Sequence, residues 1–345
     1  MISPFFDVII LFTVLSRRLE RVTFVINGEF DGRSVRDWLY QNGVSRTLIS
    51  RLKRLDDGIM VNSSRVTVRY ILRAGDRLAL ALGDRLDDMN ENLLPSDLEL
   101  DIICETEDFI ALNKPAGLPT HPSQGHFRDT LANGLAAYYA RQGIPFIFRA
   151  VNRLDRETSG VVLCAKHQYA ASLLSEELRA GRIKKTYLAL LNGSPKPPAG
   201  RIDLYMRRRE ASVILREVCT PDADGAKQAV TDYVTLVSGC NGSIVRAEPL
   251  TGRTHQLRVS FAHLGTPIVG DGLYGSAESS PTRFDNLASR HMLHALSLEF
   301  SFGDRRYTIR AGLPDDMTEL CSSISGDDSE LRFGRENSVF LQELT

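Results

Sequence analysis

The sequence predicts a protein of two domains that combines helices and strands, with most of the strands in the second domain. Its length of 345 residues suggests about two domains, because a domain usually holds about 150 residues. Residues 98–311 contain repeated stretches of alternating apolar and polar residues, which are typical of strands, and fewer helical patterns. Hydrophobic residues make up 43% of the chain and charged residues 25%, which is ordinary for a globular protein in water.

Charge is distributed unevenly along the chain, although the net charge is only -1. Residues 21–83 carry 11 Lys or Arg against 6 Asp or Glu, whereas residues 84–107 carry 9 acidic residues against one arginine. A basic domain over residues 21–83 is therefore predicted, followed by an acidic linker over residues 84–97. The second domain is expected to span residues 98–321.

The two ends of the chain are expected to lie outside these domains. The apolar run over residues 5–15 is interrupted by Asp7 and is too short to span a bilayer, so no membrane association is expected. Residues 1–20 are interpreted as an extension outside the folded domain, with an added strand or packing segment as the alternative. Residues 322–345 are polar and are interpreted as a tail.

The cysteines indicate free thiols in a reducing compartment, and we expect a cytoplasmic protein. They are odd in number, far apart, and form no CxxC pair. No cluster of Cys, His and carboxylates has the spacing of metal ligands, so no metal is expected. The five cysteines are Cys104, Cys164, Cys219, Cys240 and Cys321.

The basic domain is predicted to contain two short helices, one after Ser34 and one after Ser45, since serine is a favoured N-cap residue. The second helix places apolar residues on one face and basic residues on the other. Such a face is either an ordinary solvated surface or a set of phosphate contacts, which would give salt-dependent RNA binding. The basic residues are Arg46, Arg51, Lys53 and Arg54.

In the second domain, Asp155 stands between Arg153 and Arg156, just before an apolar run at residues 161–165. We expect a strand that carries Arg153 and Asp155, then a tight polar turn ending at Gly160, then a buried strand. A carboxylate at such a place is costly unless it is paired. The pattern therefore indicates either a structural ion pair or an active-site carboxylate that is kept ionised and oriented.

Three other residues are candidates for the same site. Lys114 begins a proline-rich loop that could present it to a ligand, and Tyr187 lies on a predicted strand, where packing is the ordinary role. Arg258 falls beside the buried stripe of a predicted helix and requires a carboxylate, so a bidentate pair with Asp155 is expected. His255 is interpreted as a hydrogen-bonded structural residue, with a zinc ligand or a base as alternatives. The glycine-rich stretch at residues 270–275 is interpreted as a turn.

Five motifs, in their order along the chain, resemble the RluA-type family of RNA pseudouridine synthases. Residues 21–83 are similar to the S4 RNA-binding domain that often precedes that family's catalytic domain. One departure is Asn152, since the family usually has His at this position. The motifs lie at residues 113–117, 153–160, 185–187, 225–231 and 252–258, and the S4-like pieces at 34–39, 45–52, 58–62 and 74–78.

The resemblance implies an α+β fold with a central mixed, largely antiparallel sheet, preceded by a small α/β S4 domain. It implies that Asp155 is the catalytic carboxylate, that Arg258 orients it, and that Tyr187 lies against the uracil. Arg153 would fill the space left by a flipped base, and its guanidinium can stack on bases. Lys114 is also expected to contact the RNA. No cofactor is implied.

The implied partner is RNA, with large-subunit ribosomal RNA expected and transfer RNA the alternative, and the protein is expected to be a monomer. One alternative function is that of a retaining glycosidase, which would also use Asp155 as a catalytic carboxylate. Such an enzyme needs a second carboxylate at a fixed separation from the first, and Glu157 is the nearest one in the sequence. A non-catalytic S4 RNA-binding protein would keep the basic helix but would have no need of Asp155, Tyr187 and Arg258.

Overall fold

The computed structural model describes residues 10–12, 21–83, 93–123, 125–210, 212–239, 242–275 and 284–325. Most of the predicted extension, of the acidic linker and of the polar tail therefore lies outside the described residues.

The N-terminal domain packs two helices against a small antiparallel sheet. The strands follow the order β1-β2-β5-β3-β4, and Trp38, Leu39, Leu48 and Leu52 are buried in the core. Its elements are β1 (Ile10–Phe12), β2 (Val22–Val25), α1 (Val35–Gln41), α2 (Arg46–Arg54), β3 (Ile59–Val61), β4 (Ser64–Arg65) and β5 (Arg77–Leu80).

Both helices begin directly after the two serines that the sequence predicts as N-cap residues. The Ser34 side chain accepts a hydrogen bond from the Asp37 backbone N–H, and the Asp37 carboxylate accepts one from the Ser34 backbone N–H, which completes a capping box. Ser45 accepts from the Leu48 backbone N–H. Within residues 66–82 the structure forms one strand, β5, and Ile71 makes an isolated bridge with Ser34.

Part of the expected extension belongs to the sheet. β1 pairs antiparallel with β2, with Ile10 opposite Phe24 and Phe12 opposite Val22. The alternative of an added strand is therefore the correct one for Ile10–Phe12.

The second domain is built on one large mixed sheet, as the resemblance implied. Its strands run β11-β10-β12-β13-β9-β14-β8-β7-β6, and β15 also pairs with β14. The pairings are antiparallel except that of β14 with β8. The elements are β6 (Ile102–Glu105), β7 (Phe109–Lys114), α3 (Leu131–Arg141), β8 (Ser159–Ala165), α4 (Gln168–Arg179), β9 (Lys184–Asn192), β10 (Ala199–Arg208), β11 (Arg216–Cys219), β12 (Lys227–Ser238), β13 (Gly242–Pro249), α5 (Gln256–His263), β14 (Leu293–Phe302), β15 (Arg305–Arg310) and α6 (Asp315–Ser325).

The parallel contact between β8 and β14 depends on a glycine. Gly160 has φ of 110°, and a Cβ at this position would lie 2.2 Å from the carbonyl oxygen of Ala295. A side chain would therefore clash with backbone as well as strain the chain. Gly160 thus allows the start of β8 to approach β14 closely.

The predicted boundary at residue 321 is wrong, because α6 continues to Ser325. Ile324 in its last turn is buried against the sheet, together with Met317 and Leu320. The second domain therefore includes α6.

The N-terminal domain contacts the second domain through α4. The Ser172 hydroxyl donates to the carbonyl of Gly43 at 2.8 Å and accepts from the backbone N–H of Ser45 at 3.0 Å. Tyr169 packs its ring at 6.1 Å from that of Phe24. These contacts anchor the start of the basic helix α2 on the large domain.

Across the residues that the structure describes, none of the helices combines the length and apolar character needed to cross a membrane.

Candidate active site

Asp155 lies on a loop, not on the strand that its sequence predicted. The loop runs from Val151 to Thr158 and leads directly into β8. The side chain of Asp155 is 29% exposed, so a ligand can reach it. The loop needs other anchors because no strand pairing fixes residues 153–157.

Two polar side chains fix the first half of this loop. Asn152 is buried, and its amide donates to the carbonyl of Val161 at 2.9 Å and accepts from the N–H of Leu163 at 2.8 Å. The hydroxyl of Thr120 donates to the Leu154 carbonyl at 2.9 Å. Asn152 thus acts as a structural anchor on β8, which explains a polar residue with both a donor and an acceptor at this position.

Lys114 is buried inside the domain and supports the loop through hydrogen bonds to backbone carbonyls. It is fully buried, and its ammonium donates to the carbonyls of Pro115, Leu118 and Arg156 at 2.7, 2.7 and 3.0 Å. Burial lowers the pKa of Lys114 to about 7. The expectation that Lys114 contacts RNA is wrong, because its ammonium ties the proline-rich loop to the loop of Asp155.

Three residues, two just before β14 and one within it, hold the second half of the Asp155 loop. Arg290 donates to the Glu157 carbonyl at 3.0 Å, and the ring of His291 is 2.8 Å from the Thr158 hydroxyl. His294 bonds the Ser159 hydroxyl through Nδ1 at 2.9 Å. No local sequence pattern indicates these roles, since the contacts join residues more than 130 positions apart.

The buried histidines predict acid-induced destabilisation. Burial lowers the pKa of both His291 and His294 from 6.5 to about 4. Between these values the unfolded chain binds protons that the folded chain does not, so stability falls as the pH drops from 6.5 toward 4. We expect each histidine to cost about 2 kcal/mol between pH 7 and 5.

Urea unfolding of wild type and His294→Asn at pH 7 and 5 measures this cost. The variant should lose about 2 kcal/mol less than wild type over that pH interval. His263→Gln, at an exposed position, is the control and should behave like wild type. An unchanged pH dependence in His294→Asn would contradict the prediction.

The carboxylate of Asp155 faces Arg258, but the pair is not bidentate. Nη1 of Arg258 lies 3.4 Å from Oδ2 of Asp155. Arg258 instead forms its bidentate pair with Asp271, through Nε and Nη2 at 2.7 Å each. Asp271 also accepts from the backbone N–H groups of Leu273 and Tyr274. The bidentate partner predicted for Arg258 is therefore wrong, and Asp271 takes that role.

This arrangement presents one cation to Asp155 in a fixed direction. The side chain of Arg258 is 6% exposed and that of Asp271 is fully buried. Interaction with Asp271 raises the pKa of Arg258 against the opposing effect of burial, and the Arg258 charge and hydrogen bonds lower the pKa of Asp271. Because glycines flank Asp271, the sequence predicts only a turn at this position. It does not indicate that the carboxylate of Asp271, which follows a buried segment, is the partner of Arg258.

His255 has an acidic neighbour that the sequence did not suggest. Its Nε2 lies 3.6 Å from Oδ2 of Asp155, and its Nδ1 lies 2.8 Å from the hydroxyl of Tyr274. His255 and Arg258 therefore approach the same carboxylate oxygen.

Comparisons with known proteins place the chain in a family. The model of the RNA pseudouridylate synthase family matches residues 108–263, which include Asp155 and Arg258. The uncharacterized RNA pseudouridine synthase YjbO of Bacillus subtilis is 33% identical over 289 residues, covering 83% of this chain and 98% of that protein. The chain belongs to the RNA pseudouridine synthase family. Ribosomal large subunit pseudouridine synthase D of Xylella fastidiosa is 35% identical over 266 residues, covering 73% of this chain and 77% of that protein.

Solved structures show the same fold as this synthase. Human RNA pseudouridylate synthase domain containing 1 superposes with a TM-score of 0.56 at 28% identity, covering 72% of this chain and 96% of that one. Human RNA pseudouridylate synthase domain containing 4 has a TM-score of 0.53 at 24% identity, covering 63% and 90%, which supports the fold alone.

The other residues that the sequence predicts for the site or for RNA binding lie near the Asp155 loop or on α2. Tyr187 lies on β9, where burial and the charge of Asp155 both raise its pKa. Arg153 is exposed two residues before Asp155. On α2, Arg51 is half-buried and donates to the Gly83 carbonyl at 2.8 Å. The exposed basic residues of α2 are Arg46, Lys53 and Arg54.

The part of the chain that the structure describes contains no group of three or more His, Cys, Asp or Glu side chains that could hold a metal ion.

Proposed function

We propose that this synthase converts uridines of structured RNA to pseudouridine with Asp155 as its catalytic carboxylate. The observation that carries the proposal is the placement of Asp155. It is half-exposed on a loop anchored along its length, and a buried arginine that is itself held by Asp271 faces it. Such a fixed cation orients the carboxylate that it faces.

The isomerisation breaks the N1–C1′ bond of uridine and forms a C5–C1′ bond, with loss of a proton from C5 and gain of one at N1. The carboxylate could attack C1′ and be displaced when C5 attacks. Alternatively, it could take the C2′ proton as uracil leaves and return it after C5 has added to C1′. Both routes regenerate the carboxylate and need no redox step, and the geometry supports each.

Two neighbours suit the same reaction. Tyr187, near Asp155, would lie against the uracil and could help to remove the C5 proton. A base inside a helix must leave its stack before it can react, which costs a few kcal/mol. Arg153 is exposed beside the site and would fill the vacated space, since a guanidinium stacks on bases.

We propose large-subunit ribosomal RNA as the substrate class, with transfer RNA as the alternative. The relative from Xylella fastidiosa and one from Neisseria meningitidis are both named ribosomal large subunit pseudouridine synthase D. We further propose that residues 21–83 form an S4 RNA-binding domain that acts in the cytoplasm with the catalytic domain. The contact of Ser172 with Gly43 and Ser45 would hold the two RNA-binding surfaces together.

Mapping of pseudouridine in RNA from a strain that lacks this protein tests the function. Complementation with wild type should restore pseudouridine at defined positions of large-subunit ribosomal RNA. If pseudouridine were restored in transfer RNA alone, transfer RNA would replace ribosomal RNA as the proposed substrate. RNA binding without any restored modification would support a non-catalytic RNA-binding protein instead.

The basic helix α2 leads to a separate prediction. Replacing Arg46, Lys53 and Arg54 with Gln should weaken RNA binding and make its salt dependence shallower, because phosphate contacts release counterions. If all three contact duplex phosphates, the slope of log K against log salt should fall by about 2 to 3 units. Filter binding or fluorescence anisotropy over a salt series measures both quantities.

A charge-matched control removes three exposed arginines of β15, Arg305, Arg306 and Arg310. Their replacement by Gln lowers the net charge equally but leaves α2 unchanged. Equal loss of affinity in both variants would contradict a specific role for α2.

A further inference from the structure

We propose that His255 is a positioning residue of the reaction. Its ring, fixed as the tautomer that carries the proton on Nε2, donates to Oδ2 of Asp155 in the substrate complex and leaves Oδ1 to act on the uridine. This inference rests on the proposed function of Asp155.

A chain of polar groups reaches the ring of His255 from the sheet. The backbone N–H of Arg216, at the start of β11, donates to the hydroxyl of Tyr274 at 2.9 Å. That hydroxyl lies 2.8 Å from Nδ1 of His255, and Nε2 on the other side of the ring lies 3.6 Å from Oδ2 of Asp155. The ring therefore stands between a hydroxyl and a carboxylate.

This placement decides the tautomer. A neutral imidazole has one donor nitrogen and one acceptor nitrogen. With the proton on Nδ1, the lone pair of Nε2 would face the negative Oδ2. With the proton on Nε2, Tyr274 donates to Nδ1 and the N–H of Nε2 faces the carboxylate. The hydrogen bond at one nitrogen thus sets the proton on the other.

Burial favours the neutral ring. The side chain of His255 is 9% exposed, and desolvation lowers its pKa, with the charge of Asp155 opposing that shift. Arg258 and Arg216 also lower the pKa, whereas Asp271 raises it. A neutral Nε2–H donor can hold Oδ2 without adding a second positive charge beside the one that Arg258 presents.

The backbone indicates that this orientation is maintained at a cost. His255 precedes α5 with φ of 59° and ψ of 20°, in the left-handed region. A residue other than glycine in that region costs on the order of 1–3 kcal/mol. Strain of this kind persists when surrounding contacts hold it, and here it directs the ring at Asp155.

Both donors approach one oxygen. Arg258 Nη1 is 3.4 Å and His255 Nε2 is 3.6 Å from Oδ2. These distances are longer than good hydrogen bonds, as is common for catalytic contacts without substrate. Since the held oxygen is Oδ2, Oδ1 is the oxygen that meets C1′ or the C2′ proton.

The first test reads the tautomer in the free protein. Long-range proton–nitrogen spectra of the protein labelled with 15N-histidine distinguish the two neutral forms, and the His255→Asn variant assigns the signal. We expect His255 to be neutral at pH 7 with the proton on Nε2. In Tyr274→Phe, which lacks the hydroxyl, the signal should shift toward a mixture. A proton on Nδ1 in wild type would overturn the proposal.

The second test compares two amides of different length. Gln places its amide N–H near the position of Nε2, whereas Asn places its own near Nδ1. His255→Gln should keep kcat within about tenfold of wild type, and His255→Asn should lose about 100-fold in kcat with KM nearly unchanged. Asn tolerates the left-handed backbone better than Gln, so thermal stability should rank in the opposite order.

The outcomes separate this inference from the proposed function. Equal loss of kcat in both variants, or a ranking of activity that follows stability, would show a merely structural histidine. A wild-type protein with the expected tautomer but no pseudouridine formation would overturn the proposed function and, with it, the catalytic part of this inference.

Discussion

Replacing Asp155 with Asn is expected to reduce pseudouridine formation by at least about 10³-fold, which corresponds to about 4 kcal/mol of barrier. The amide preserves size and some hydrogen bonding but is neither a good nucleophile nor a base. Folding should be unaffected, since Asp155 is half-exposed and its loop is anchored by other residues. Single-turnover assays on substrate RNA, with binding measured separately, check both expectations.

Glu157→Gln is the matched control, because it neutralises a carboxylate on the same loop. Its side chain pairs with Arg156 at 2.7 Å and is more than half shielded from water. Activity close to wild type is expected. If both substitutions abolished turnover equally, a mechanism with two carboxylates, as in glycosidases, would fit better than the proposed one.

The sequence predicts the elements of this fold better than the contacts of its site. Ser34 and Ser45 begin helices as expected because N-capping is a local effect. The sequence predicts a strand that carries Arg153 and Asp155 and ends in a polar turn before Gly160. In the structure, hydrogen bonds from the side chains of Asn152, Thr120 and Lys114 to backbone carbonyls hold that segment instead. Such tertiary hydrogen bonds leave no pattern in the local sequence.

The partner of Arg258 illustrates the same limit. The requirement for a carboxylate followed from its place on the helix, and Asp155 was a reasonable candidate. Which of two carboxylates takes the bidentate geometry depends on the path of the chain after α5. The glycines around Asp271 indicate a turn, and within it the backbone N–H groups of Leu273 and Tyr274 hold that carboxylate in place.

Replacing Asp271 with Asn is therefore expected to have the largest effect on stability. It leaves the buried guanidinium of Arg258 without its charged partner, which costs about 3 kcal/mol or more. Asp232→Asn is a control of the same geometry, since Asp232 forms a bidentate pair with Arg201 at 2.6 and 2.8 Å. That pair is exposed, so its loss should cost at most about 1 kcal/mol. Urea unfolding at pH 7 gives both values.

A double variant separates stability from catalysis at this pair. Arg258→Met combined with Asp271→Asn removes the buried cation as well, and the new amide still offers an oxygen to the neighbouring backbone N–H groups. The double variant should be more stable than Asp271→Asn alone, because no uncompensated charge remains buried. Its turnover should nevertheless stay at the level of Asp155→Asn, since the guanidinium that faces Asp155 is then missing. Recovery of activity along with stability would show that Arg258 serves the fold and not the carboxylate.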